Sequence, residues 1–178
     1  MEDKKLYMNL QKITYFNNEF GLQSIDVLTK LFLNKNARYP ITQISLVDVK
    51  KCVTIEPLLK ALISKDNYLQ TLIIPKLNMS DDSNNTLCEF IKQRSVLKHL
   101  DISWNSMVAS QVKMLFRALS KNQQLESLNL AMISVNESMN IMKLKEFIRE
   151  NHRLLDINLS GMFKSVKHVR GIIKTLKK

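Results

Sequence analysis

"LKHLDISWN", residues 97–105, places apolar side chains at Leu97, Leu100 and Ile102 and an amide at Asn105. Steps of three and then two fit neither a helix, which needs three and four, nor a plain strand, which needs two. The pattern recurs. Ile41, Ile44 and Leu46 repeat it, as do Leu69, Leu72 and Ile74, then Leu125, Leu128 and Leu130, then Leu154, Ile157 and Leu159. Their first residues lie 28 or 29 positions apart. A weaker copy, Leu10, Ile13 and Tyr15 with Asn18, starts 31 residues before Ile41. Repetition at such a period over nearly the whole chain is the signature of a solenoid.

Within a unit the hybrid spacing has a physical reason. In "HLDIS", Leu100 and Ile102 alternate with His99, Asp101 and Ser103, which predicts a short strand with one buried face. Leu97 enters the core from the turn before it. About 13 residues after the first apolar residue stand Thr54, Ser83, Ser110 and Ser138, with Ser165 slightly earlier. Hydroxyls there suit the unpaired amides of a helix start. "TLCE" at 86–89 offers a second start with capping-box spacing. Helical periodicity follows: Val112, Leu115, Phe116 and Leu119 form one stripe, and Val169, Ile172, Ile173 and Leu176 another. A helix that returns the chain between strands makes them parallel. The expected fold is an α/β horseshoe of about six strand–helix repeats, starting near 10, 41, 69, 97, 125 and 154. It forms one domain over 1–178, with an irregular first repeat and a basic capping helix whose apolar stripe faces the preceding repeat.

These residues resemble the leucine-rich repeat family, whose consensus LxxLxLxxN is met completely by "LKHLDISWN". The period and the long helical return are similar to the ribonuclease-inhibitor-like class, which includes the repeat domains of tropomodulin and Ran GTPase-activating protein. The linking stretch "KNQQLESLNL", with Asn122 before the next first Leu, also resembles theirs. One departure is systematic: Val49, Leu77, Ile133 and Met162 occupy the consensus asparagine position. Apolar packing is expected to replace most of that family's buried hydrogen-bond ladder.

Composition bounds the function. Three Gly and three Pro leave no flexible linker. "MEDKKLYMNLQK" has no apolar run of the secretory kind, and no stretch reaches the ~20 residues that span a bilayer, so no membrane partner is expected. Cys52 and Cys88 suggest no disulfide framework. Two reduced thiols fit a cytoplasmic protein, with nuclear, cytoskeletal or ciliary association left open. The net charge is +11. Residues 153–178 carry seven basic and one acidic side chain, more than half of that excess.

Nothing in the chain reads as catalytic, and no cofactor or metal is implied. His99, His152 and His168 lack the neighbours of a metal site, and no phosphate loop or nucleophile elbow occurs. His99 and Asp101 share a strand face, which equally describes two solvated polar residues. A non-catalytic protein-binding scaffold or adaptor, a subunit of a larger intracellular or cytoskeletal assembly, is the expected function. A nucleic-acid or ribonucleoprotein role, prompted by the charge, and small-GTPase regulation, prompted by the resemblance, are the alternatives. Repeat arrays bind on their concave strand face. There the spacing places His99, Asp101, Asn129 and Asn158, with an apolar strip of Phe16, Val47, Ile73 and Pro75. Trp104 stands at the rim, where it either forms a contact or packs into its own turn. Lys167, Arg170, Lys174 and Lys178 line one side of the last helix. They serve either solubility or docking onto an acidic partner, for which tubulin's acidic tail is a candidate.

Overall fold

Alternation of apolar and polar residues yields one short strand per repeat: β1 (Lys12–Phe16), β2 (Gln43–Val47), β3 (Thr71–Ile73), β4 (His99–Asp101), β5 (Ser127–Asn129) and β6 (Asp156–Asn158). Six helices alternate with them: α1 (Leu22–Leu33), α2 (Glu56–Ser64), α3 (Asp81–Gln93), α4 (Ala109–Lys121), α5 (Ser138–Glu150) and α6 (Val166–Leu176). This computed structural model describes residues 9–34, 40–50, 54–64, 68–77, 79–93, 96–135 and 138–176. The strands make one parallel sheet in chain order. Lys12, Gln43, Thr71, His99, Ser127 and Asp156 pair across it, and so do Thr14, Ser45, Ile73, Asp101, Asn129 and Asn158. Both rows are those the repeat spacing predicts. Helices pack side by side in the same order, α1 on α2 through α5 on α6. A helix is about 10 Å wide and strands are about 4.8 Å apart, so the array bends with its strands on the inner side.

The core lies between the two layers. Leu69, Leu72 and Ile74, then Leu97, Leu100 and Ile102, then Leu125, Leu128 and Leu130 are all buried, against Leu115, Phe116, Leu119, Leu144 and Phe147 from the helices. Each such side chain contributes roughly 1.5–3 kcal/mol by leaving water. Val49, Leu77, Ile133 and Met162 are buried as well, so apolar packing does replace the consensus amide. Asn105 keeps that amide's work: its Oδ1 accepts from the Leu77 amide at 2.9 Å, and its Nδ2 donates to the Ile74 and Ile102 carbonyls at 2.9 Å. A second amide series stands at the helix ends. Asn122 donates to the Ile91 carbonyl and Asn151 to the Asn122 carbonyl, both at 3.4 Å, stitching each linker to the one before.

Helix starts differ from expectation in two places. Ser83 and the "TLCE" stretch lie inside α3, and Ser80 is the cap: its Oγ accepts from the Ser83 amide at 3.2 Å. Ser83 is fully buried, with its hydroxyl 3.1 Å from Ser80 Oγ and 3.0 Å from Thr54 Oγ1. In α4 the helix begins before Ser110, and Gln111 accepts from the Val108 amide at 2.8 Å. A hydroxyl therefore did not mark the start by itself: Ser80 takes the amide at the start of α3, and Gln111 takes the Val108 amide before α4. Thr54 accepts from the Glu56 amide, Ser138 is the first residue of α5, and Ser165 immediately precedes α6.

The last repeat corrects a further expectation. Of the α6 stripe, only Ile172 is buried against the preceding repeat, whereas Val169, Ile173 and Leu176 are 40%, 46% and 52% exposed. Their counterparts in α4, Val112, Phe116 and Leu119, are fully covered. Those positions need a following repeat as well as a preceding one, and none is described beyond α6. In the first repeat, Leu10, Ile13, Tyr15, Val27, Leu28, Lys30, Leu31 and Asn34 line a groove of about 420 Å³ between β1 and α1.

Candidate functional site

Past each strand the chain must leave the sheet sharply, and it does so at one repeated position. Asn17, Asp48, Lys76, Trp104 and Met132, with φ between 50° and 65°, and Gly161, with φ 68°, each stand seven residues after the first apolar residue of their repeat. Backbone pairing holds these turns in register: the Lys76, Trp104 and Met132 amides donate to the Ser103, Ala131 and Ser160 carbonyls at 2.7–2.9 Å. The left-handed region costs about 1 kcal/mol or more for a residue with a Cβ. Asn, Asp and Gly tolerate it, and they fill three of the six positions. A tryptophan there gains nothing from the turn itself.

Trp104 is 56% exposed. With Val47, Asp48, Pro75 and Lys76 it lines a shallow groove of about 390 Å³ where β2, β3 and β4 end. The groove has an aromatic wall, an aliphatic floor and one charge of each sign at its lip. It thus unites three of the sequence-selected residues, Val47, Pro75 and Trp104. Phe16 is exposed at the same edge of the sheet one strand away, and Ile73 is half-buried on the strand face. The apolar strip is thus less open than expected, since Val47, Ile73 and Pro75 are all partly covered. Asp48 and Lys76 were missed. The shared offset within the repeat was the signal for both, since Asp tolerates a positive φ but lysine does not announce one.

The polar rows mostly shape the fold. Asp101 Oδ1 accepts from the Ser103 amide at 2.9 Å and its hydroxyl at 2.7 Å, and Oδ2 accepts from Asn129 Nδ2 at 2.9 Å. Asn129 and Asn158 repeat the turn, accepting from the Ala131 and Ser160 amides at 3.1 Å. Side chains that bond two residues ahead in this way close Asx turns. His99 is exposed beside them on the strand face, while the Asp101 carboxylate is turned toward Ser103 and Asn129. Among the described residues, no three His, Cys, Asp or Glu side chains converge as a metal site would require. Cys88 is buried, and burial pushes its thiol up to about 11. Cys52 lies outside the described residues. Among the described helices, none is long and apolar enough to cross a membrane.

At the far end, Lys167, Arg170 and Lys174 project from α6 and are exposed, and Lys178 lies outside the described residues. Lys92, Lys121 and Arg149 sit in the last turns of their helices, where cations oppose the helix dipole.

No family model matches the chain. Two mouse proteins, NACHT, LRR and PYD domains-containing proteins 4E and 4C, are 31% identical to it over 108 residues, 60% of this chain. The chain spans 11% of the length of these relatives. Among solved structures, leiomodin-1 actin-binding site 2 aligns over 88% of both chains with a TM-score of 0.68 and 16% identity. The tropomodulin C-terminal domain of Caenorhabditis elegans aligns over 95% of this chain and 83% of its own, with a TM-score of 0.56 and 18% identity. The fold is that of the leucine-rich-repeat solenoids. In such solenoids the edge where strands turn outward lies beside the concave face, and the Trp104 groove stands at that edge.

Proposed function

We propose that the chain is a non-catalytic protein-binding scaffold, and that its contact surface is the Trp104 groove with the adjoining strand face. The observation that carries this reading is the tryptophan itself: a large exposed aromatic at a strained turn position, beside Pro75 and Val47. Tryptophan anchors seated among apolar neighbours commonly dominate the energy of a protein interface. The charges at the lip, Asp48 and Lys76, supply orientation rather than affinity. A cytoskeletal setting is part of the proposal, supported by the likeness in fold to leiomodin-1 actin-binding site 2, and actin is the first partner to test. Cosedimentation with filamentous actin provides that test, comparing the unaltered chain with Trp104→Asn. Co-pelleting that saturates, and that falls at least about tenfold with Trp104→Asn, is the expected result. Equal pelleting of the two forms would remove the groove from the binding surface, and none at all would remove actin.

A further inference from the structure

Charge is divided unevenly along the helical layer. Helices α1–α3 carry three basic and five acidic residues, whereas α4–α6 carry nine and two. In the first group Lys30 and Lys60 are paired with Asp26 and Glu56 one turn away. Among the described residues of α4–α6 only Lys143 is paired, with Glu146. Arg117, Lys121, Arg149, Lys167, Arg170 and Lys174 are all exposed. Arg117 and Arg170 stand away from the helix ends, where the helix dipole gives no reason for a cation. At about 100° per residue, Arg117, Arg149 and Arg170 lie roughly opposite buried Leu115, Leu144 and Ile172, on the outer surface of the array. A repeat added to a solenoid lies beside that surface and does not cover it. Solubility requires charge, but it is served best by interspersed signs and does not explain their separation.

We infer that the outer face of α4–α6 binds a nucleic-acid duplex through its phosphates, without reading its sequence. The one-sign surface calls for a polyanion, and three features select this one. Lysine supplies six of the nine cations; it is depleted where proteins meet, whereas phosphates accept it as a point charge. None of the exposed aromatic residues described, Phe16, Tyr68 and Trp104, lies on these helices, so the bases of a single strand have nothing there to stack on. The exposed apolar groups of α4 and α5 are the thioethers of Met114, Met139 and Met142, not the Trp, Phe or Leu with which a helix enters a bilayer surface. A duplex presents its phosphates outward and needs neither. The inference is independent of the Trp104 groove, since a different surface and different variants are involved.

A fluorescently labelled DNA duplex of about two helical turns provides the probe. Anisotropy against the purified chain is expected to show saturable binding whose log affinity falls linearly with log salt, with a slope of about −4 to −6. The Arg117→Gln, Arg149→Gln, Arg170→Gln triple variant removes one cation from each helix. It is expected to weaken binding at least about tenfold and to flatten the slope by about 2–3. Lys12→Gln, Lys50→Gln, Lys76→Gln removes the same charge from the strand side, where these lysines are exposed. That variant is expected to change affinity less than about threefold, as befits cations that touch no phosphate. Circular dichroism confirms folding, and Arg117→Gln alone, with a slope flatter by about 1, serves if the triple variant unfolds. Absence of saturable binding overturns the inference, as does an equal loss in the two triple variants. Tighter binding of a single strand of the same length would overturn the duplex. Arginine-dependent binding to polyglutamate with none to the duplex would assign the face to an acidic protein instead, and the same result with phosphatidylserine vesicles would assign it to a membrane surface.

Discussion

Asn105 joins β3 and β4 just past their ends through hydrogen bonds to the Leu77 amide and the Ile74 carbonyl. Asn105→Ala leaves both groups buried without partners, at roughly 1–3 kcal/mol each. Urea unfolding should therefore show a loss of about 2–4 kcal/mol; a loss below about 1 kcal/mol would mean that water replaces the amide. Leu100→Ala and Leu128→Ala should each cost roughly 2–5 kcal/mol, since both side chains are buried between adjacent repeats. Cys88 supplies a pH dependence. Its folded-state thiol, at about 11, lies above the ordinary value of 9.0, so the fold favours the protonated form. The linked stability is present below pH 9 and is lost as pH rises through about 11. Mass-spectrometric mapping of iodoacetamide labelling at pH 8 should find Cys88 slow in the native protein and fast in urea. The core residues were legible because burial follows the apolar pattern directly. Ser83 was not, because a hydroxyl three residues past the true cap carries the same sequence signature as a cap.

At the scale of the element, strands and helices were recovered wherever a period governed them, and the turns between were not. Six left-handed positions recur at one offset, yet they hold Asn, Asp, Lys, Trp, Met and Gly, and only three of these favour that backbone. Trp104→Asn places a tolerant residue at the turn. It should leave stability unchanged or raise it by up to about 1 kcal/mol while weakening partner binding, the trade expected where strain serves function. A stability loss above about 2 kcal/mol would show that the indole packs into its own turn instead. Gly161 gives the opposite case: a Cβ there would collide with the Met132 sulfur, in a left-handed conformation. Gly161→Ala should lower the midpoint of thermal unfolding by several degrees, consistent with about 1–2 kcal/mol in a chain of this size.

Across the whole molecule, each described repeat touches only its neighbours, and the interior repeats are sealed between them. The number and order of repeats were readable from the period alone. The exposure of Val169, Ile173 and Leu176 in α6 was not, because amphipathic spacing says that a stripe is apolar without saying how many sides will cover it. The candidate site was half readable for a related reason: Val47, Pro75 and Trp104 follow from strand spacing, whereas their convergence with Asp48 and Lys76 depends on turn geometry. Site-directed photocrosslinking tests that convergence most directly. A benzophenone amino acid is placed at Lys76 in the groove, and in a second sample at Arg117, an exposed position on the outer surface of α4. Irradiation in extract of the native cells should give a discrete polypeptide adduct from position 76 and none from position 117, and the adduct should vanish when Trp104→Asn is added. Adducts from position 117 alone, or an adduct from position 76 that survives Trp104→Asn, would contradict the assignment of the groove as the binding surface.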